Sequence, residues 1–287
     1  MRYWPQILLL FLSSYAFAQD VATAEKAFAQ MAADSSVKRA FLQFADSNGV
    51  VFNNGKIGNA IKSWSAAPDA GGPKIIWQPA FYAMSAAGDL GFTTGPYEVR
   101  HGKTDTLLVS GQYTTVWKKN SAGDWKFMAD LGVDFAPSRY GLQSLQAFTD
   151  IVPSSLPDSL IYQLEKHFIL AHDSLADEAW RVAAADSAWF NINGGGPFQG
   201  TDNFMAALRP VPLALTFEPV AGGVSQSKDR HTCTAMCGMS GGRKTTCASG
   251  RIPPKAGSCC CRCCAGNYSP NHFLKSLARR RLTIISS

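Results

Sequence analysis

Cysteine is missing from the first 232 residues of this 287-residue chain, and all eight cysteines lie between Cys233 and Cys264. The body therefore has no disulfide frame, no thiolate metal centre and no cysteine nucleophile. Histidine is scarce as well. The five histidines, at 101, 167, 172, 231 and 272, show neither metal-ligand spacing nor the setting of a catalytic triad. Asn193-Gly-Gly-Gly196 lacks phosphate-loop spacing and reads as a turn. Gly238-Met-Ser240-Gly-Gly242 matches the nucleophile-elbow pattern in letters only, because its polar flanks offer no strand before it and no helix after it. No metal and no cofactor is expected.

Long apolar runs are absent beyond the N-terminus. The start, MRYWPQILLLFLSSYAFAQD, has a basic Arg2, a short apolar stretch from Ile7 to Leu12, and the small-residue pattern Ala16-Phe17-Ala18. That is the layout of a cleaved export signal over residues 1–18, and the stretch is too short to span a bilayer. No cysteine follows the cleavage point, so no lipid anchor is expected. The sequence predicts a soluble protein of the periplasm or beyond, with no membrane partner.

The net charge of +6 hides two compositions. Residues 228–287 hold 11 of the 27 Lys and Arg and one of the 21 acids, Asp229, which leaves 16 bases against 20 acids before them. The body is mildly acidic, so no nucleic-acid partner is expected of it. The basic, cysteine-rich part is a separate tail.

In the body, Phe28, Met31, Val37, Phe41 and Phe44 recur at helical spacing, with Ser36 as the cap of a second helix after Asp34-Ser35. Gly49 to Phe52 reads as a strand entering the turn Asn53-Asn54-Gly55, and residues 56–64 as a short helix. From Lys74 the pattern changes to strands: 75–85, 90–100, 107–119 and 125–135. Gly88-Asp89 and Gly123-Asp124 mark hairpin corners. In the last strand, simple alternation puts Trp125, Phe127, Ala129 and Leu131 on one face and Lys126, Met128 and Asp130 on the other. Helices followed by an antiparallel meander define an α+β unit over residues 19–135. Residues 136–158, with Pro137, Pro153 and Pro157, form a linker in which GLQSLQAFTDIV could make a helical turn.

A second copy follows at an offset of 140. Glu25-Lys26 and Phe28 match Glu165-Lys166 and Phe168, and Asp46-Ser47 matches Asp186-Ser187. Trp77-Gln-Pro79 matches Phe217-Glu-Pro219, and Ser85 with Asp89 matches Ser225 with Asp229. So many pairs in one register indicate duplication, with a partial second domain over 159–229.

The stretches Ala24 to Phe28, Trp77-Gln-Pro79, Gly88-Asp-Leu-Gly-Phe-Thr-Thr-Gly95, Gly111 to Trp117 and Gly123-Asp-Trp-Lys126 resemble the domain of unknown function 4440 family. That family belongs to the SnoaL-like, ketosteroid-isomerase-like or nuclear transport factor 2-like superfamily. The resemblance implies tandem cones, each a bent antiparallel sheet wrapped round helices with an apolar cavity at its mouth. It also implies that the two repeats pair within one chain. Relatives differ in chemistry: some isomerise or cyclise with a pocket acid as base, and others only bind.

Trp64, Trp77, Tyr82, Tyr97, Tyr113 and Trp117 are the candidate pocket residues, each an aromatic body with a polar tip, five of them on an expected strand. They could equally be ordinary core. Asp130 is the candidate general base, a mid-strand acid that needs either a hydrogen bond or exposure. The leading expectation is binding of a small apolar molecule or a protein partner without catalysis. The alternative is a cofactorless isomerase or cyclase using Asp130.

For the tail, CCCRCC could bind soft metals or form disulfides. A third reading explains why the repeat stops at Asp229: a one-base shift in reading frame. Codons for Arg230 to Ala235, read one base earlier, permit an aromatic third and a glycine sixth, as at Phe92 and Gly95. Residues 230–287 would then be disordered or poorly packed, and the second unit would lack its last strands.

Overall fold

The computed structural model describes residues 20–53, 56–68, 72–148, 163, 166–171, 178–183, 188–192, 194–208, 215–228, 231–239, 245–246 and 260–261. Residues 1–19, where the export signal is expected, all of 149–162 and most of the tail lie outside them.

Helix α1 (Val21–Asp34) begins where the Asp20 side chain accepts from Thr23 N at 2.7 Å. Its buried stripe is Val21, Ala24, Glu25, Phe28 and Ala32, an apolar face interrupted by one acid. Ser36 caps α2 (Val37–Phe44) by accepting from Arg39 N at 3.1 Å, as its position predicts. Strand β1 (Ala45–Asn53) pairs with β2 (Lys56–Asn59) as a hairpin. The helix expected from residue 56 therefore starts only at α3 (Ala60–Ser65), with Asn59 as its cap. Residues 56–59 give their backbone groups to β1 instead.

Strands β3 (Lys74–Trp77) and β4 (Phe81–Met84) are one expected strand broken at Pro79, which has no N–H to offer β5 (Leu90–Arg100). Strands β6 (Leu107–Lys119) and β7 (Trp125–Asp134) complete the meander. The linker contributes a strand rather than a helical turn: β8 (Gln146–Phe148) lies parallel to β4. The sheet runs β2-β1-β7-β6-β5-β4-β8, with β3 also on β5. The helices fill its concave side, around Phe28, Phe41, Trp77, Trp117 and Phe127.

Alternation along β7 fails at one point. Thr115, Val116 and Trp117 pair with Asp130, Ala129 and Phe127, so Met128 is an extra residue and the register shifts there. Such a bulge swaps the faces beyond it. Trp125 and Phe127 pack in the concave core, whereas Ala129 joins Leu90 and Val116, and Leu131 joins Val133, in separate clusters. The four residues do not share a face as simple alternation expects. The bulge is what turns Asp130, Gly132 and Asp134 toward the inside.

The second unit repeats this plan. It has a helical stretch at 166–171, α4 (Glu178–Ala183), β9 (Trp189–Ile192), β10 (Gly195–Gln199), α5 (Thr201–Leu208), β11 (Leu215–Val224) and β12 (His231–Met239). The offset of 140 holds in strand register: Trp77↔Tyr97 and Phe81↔Thr94 recur as Phe217↔Cys237 and Ala221↔Thr234. Residues 231–239, expected to be unstructured, form this strand. Antiparallel pairing needs only backbone groups, so it continues where side-chain resemblance has ended. Short pairings at β13 (Thr245–Thr246) and β14 (Cys260–Cys261) are the remaining described parts of the tail.

Contacts join the outer face of the first sheet to the second unit. Phe81 lies 5.6 Å from Trp189 between ring centroids. Asn191 Nδ2 donates to Thr114 Oγ1 at 2.9 Å. The hairpin tips also meet: Ala87 N donates to Ser227 Oγ at 3.0 Å, and Gln226 N to Asp89 Oδ2 at 3.0 Å. Asp89, expected as a plain turn residue, is buried by that contact. Ala87 and Ser227 differ by the repeat offset itself, which places them beside an approximate two-fold axis.

Candidate functional site

Between α2, α3 and the concave sheet lies a cavity of about 770 Å³, within the range of small-molecule sites. Phe28, Phe41, Trp64, Ile75 and Trp77 line its apolar part, and Tyr97, Tyr113, Asp130 and Asp134 gather on the sheet side. Lys56 is its one lining lysine and is exposed. Of the sequence candidates, Trp64, Trp77, Tyr97, Tyr113 and Asp130 line it. Tyr82 packs on the core without lining it, and Trp117 is fully buried against Phe28, Phe44 and Phe127.

Glycines decide where Tyr97 lies. A Cβ at Gly132 would sit 3.1 Å from Tyr97 Cε1, and one at Gly111 would sit 2.8 Å from it. The ring therefore lies flat across two strands that lack side chains at the contact. Its hydroxyl then donates to Asp134 Oδ1 at 2.5 Å. Burial raises the Tyr97 phenol above its ordinary value, and the bond to Asp134 and the charges of Asp134 and Asp130 raise it further.

Asp130 takes a hydrogen bond from Thr115 Oγ1 at 2.7 Å. Burial pushes its carboxyl up to about 6, against the pull of the Thr115 hydroxyl. The side chain is surrounded by protein but only half-buried, because it opens on the cavity, so water there tempers the rise. Tyr113 is buried, with 6% of its surface exposed. Its phenol is raised well above the ordinary value by burial and then by the charge of Glu25, with Thr93 pulling the other way. The Thr93 hydroxyl gives its proton to Glu25 and accepts from Trp117, and Tyr113 Oη makes no hydrogen bond of acceptable geometry.

Glu25 is the residue that sequence reasoning missed. It accepts from Trp77 Nε1 at 2.6 Å, from Trp117 Nε1 at 2.9 Å and from Thr93 Oγ1. Burial pushes its carboxyl up to about 7; the Thr93 bond opposes this, the Asp130 charge adds to it, and the two indoles oppose it. The acid pins α1 to β3, β5 and β6 behind the cavity wall. The one sequence signal was its place in the apolar stripe of α1.

Aromatic rings cluster at the matching place in the second unit. Trp180 stands where the offset gives Ala40, and Phe204 where it gives Trp64. Phe190 and Phe204 stack at 4.0 Å, with Trp180 at 5.0 Å from Phe204 and Phe168 at 4.9 Å from Trp180.

Among the described residues, no three His, Cys, Asp or Glu side chains lie close enough to hold a metal ion. No helix among them is long and apolar enough to cross a membrane.

No family model matches the chain, and no curated protein matches it. Several solved structures do. One is an NTF-2 like protein of unknown function from Shewanella oneidensis MR-1, with 16% identity, 37% of this chain and 89% of that one covered, and a TM-score of 0.31. A ketosteroid isomerase-like protein from Erwinia carotovora atroseptica shows 14% identity over 43% of this chain and all of that one, with a TM-score of 0.34. A Mycobacterium tuberculosis protein solved in complex with estradiol-17β-hemisuccinate shows 10% identity over 40% of this chain and 93% of that one, with a TM-score of 0.30.

Proposed function

We propose that this is an exported binding protein of the SnoaL-like kind that holds one small, largely apolar molecule in the cavity of its first unit. The cavity carries this reading: about 770 Å³, with aromatic walls and a polar end at Asp130. Burying an apolar body there supplies the affinity, and the polar end orients it. The second unit serves as an intrachain partner that covers the outer face of the first sheet. Wild-type chain purified without denaturation should show a small-molecule adduct in native mass spectrometry. Ala67→Trp, which places an indole at a lining position beside α3, should show the bare chain mass. A bare mass for both proteins would contradict the reading.

A second reading has its own observation. Asp130 faces the cavity with its carboxyl near 6, and Tyr97 and Tyr113 line the same sheet-side wall. A base of that strength and a nearby phenol suit proton abstraction without a cofactor. If the protein is such an isomerase or cyclase, Asp130→Asn should remove at least about 100-fold of turnover while ligand still binds. Equal turnover in the variant and the wild type would exclude Asp130 as the base.

A further inference from the structure

We propose that the ligand of this cavity is a cation, a small amine with an apolar body, whose ammonium group pairs with Asp130. The inference rests on the reading that the cavity holds a ligand, and it names the ligand's charge class.

The polar end has more acceptors than donors. The Tyr97 hydroxyl donates its hydrogen bond to Asp134, and the Thr115 hydroxyl donates its own to Asp130 Oδ2. Among the described residues, Asp130 Oδ1 accepts nothing, whereas Tyr113 Oη is buried and turned from the open space. A ligand that donates a hydrogen bond satisfies the free Asp130 oxygen. An anionic ligand would face Asp130 and Asp134 together, with only the exposed Lys56 to offset them. A neutral carbonyl would bring no donor and leave Asp130 unmatched.

The walls favour the same charge. Trp64, Trp77 and Tyr97 line the cavity, and aromatic rings attract ammonium groups through the ring quadrupole. Their low-dielectric surroundings strengthen the pairing of an ammonium with a carboxylate. Behind Trp77, Glu25 adds negative charge whenever it is ionised.

The titratable groups around Asp130 come from every wall: Glu25 on α1, Lys56 on β2, Tyr97 on β5, Tyr113 on β6 and Asp134 on β7. Of these, Glu25 and Asp130 are the carboxyls raised toward neutrality. An amine stays protonated through this range while Asp130 loses charge as pH falls. Amine affinity should therefore drop on acidification, and the affinity of a neutral ligand should not.

Three probes of one shape decide it: phenylbutylamine, phenylbutanol and phenylbutyrate, each titrated against the full chain by the fluorescence of its tryptophans. The amine should bind about tenfold more tightly than the alcohol, and the acid more weakly than either. The ratio of amine to alcohol affinity should fall toward one in Asp130→Asn. In wild type it should fall between pH 8 and pH 5, which tests the idea even if the variant misfolds. Equal binding of amine and alcohol, or tightest binding of the acid, overturns the cation inference and leaves the binding reading standing. No binding of any probe overturns both.

Discussion

The protein is expected to unfold at a higher temperature at pH 5 than at pH 8, the reverse of the usual trend for a protein held by ionised carboxylates. The cause is Glu25. Its folded value of about 7 lies above the ordinary 4.5 because burial disfavours its charge. A group raised in the folded state contributes stability that is complete below its unfolded value and is lost as pH climbs through the folded one. Between about 4.5 and 7 the folded chain holds a proton that the unfolded chain has released, so stability falls as pH rises. Over that window the loss is about 3 kcal/mol, or roughly 6–12 °C in Tm for a chain of this size. Asp130 shifts in the same direction, and because it opens on the cavity its share is smaller. Glu98 shifts the other way: against burial, the Ser138 hydroxyl and Arg100 hold it below 4.5, so it acts at more acid pH. Calorimetric scans from pH 5 to 8 should show the decline. Glu25→Gln should remove most of it, whatever that change does to the baseline. A wild-type Tm that rises across the window would contradict the description of Glu25.

Gly111→Ala is expected to be severely destabilising for a single added methyl. The added Cβ would overlap the Val133 carbonyl oxygen on β7 and press on Tyr97 Cε1 at 2.8 Å. The first obstacle is backbone in a paired strand, so β6 and β7 must separate. Loss of about 3–5 kcal/mol is expected. Tyr97 would also lift from its groove and leave Asp134, so cavity binding should fail in any fraction that folds. Gly132→Ala makes a useful comparison, because its new Cβ would meet the edge of a side chain at 3.1 Å. It should cost less stability while still weakening binding. If Gly111→Ala lowers stability by less than about 1 kcal/mol, the close approach of β6, β7 and Tyr97 is wrong.

These two residues also show what the sequence could reveal. The meander was legible because Gly88 and Gly123, with φ of 66° and 87°, sit at hairpin corners flanked by Thr-, Tyr- and Val-rich strands. Ser36 was legible because a cap depends only on near neighbours. The faces of β7 were not. One extra residue, Met128, inverts everything after it, and nothing in WKFMADLG marks where the partner strand skips. Asp130 could be picked out as an unusual acid, but its direction depends on that bulge. Glu25 was hidden for another reason. AEKAF is ordinary helix sequence, and its donors Trp77, Thr93 and Trp117 are 52 to 92 residues away. Trp117 looked like a pocket residue by composition, yet it lies behind the wall because its indole N–H is committed to Glu25. The duplication was legible as far as Asp229. Beyond it only backbone register carries the repeat, and register leaves no letters in the sequence.

The proposed ligand site is the cavity of the first unit, one in each chain. Titration with Nile red, a neutral dye that brightens in apolar sites, measures this directly by counting saturable sites on the full-length chain. One site per chain is expected for wild type and none for Ala67→Trp. No saturable site in wild type, or two equal sites per chain, would contradict the account.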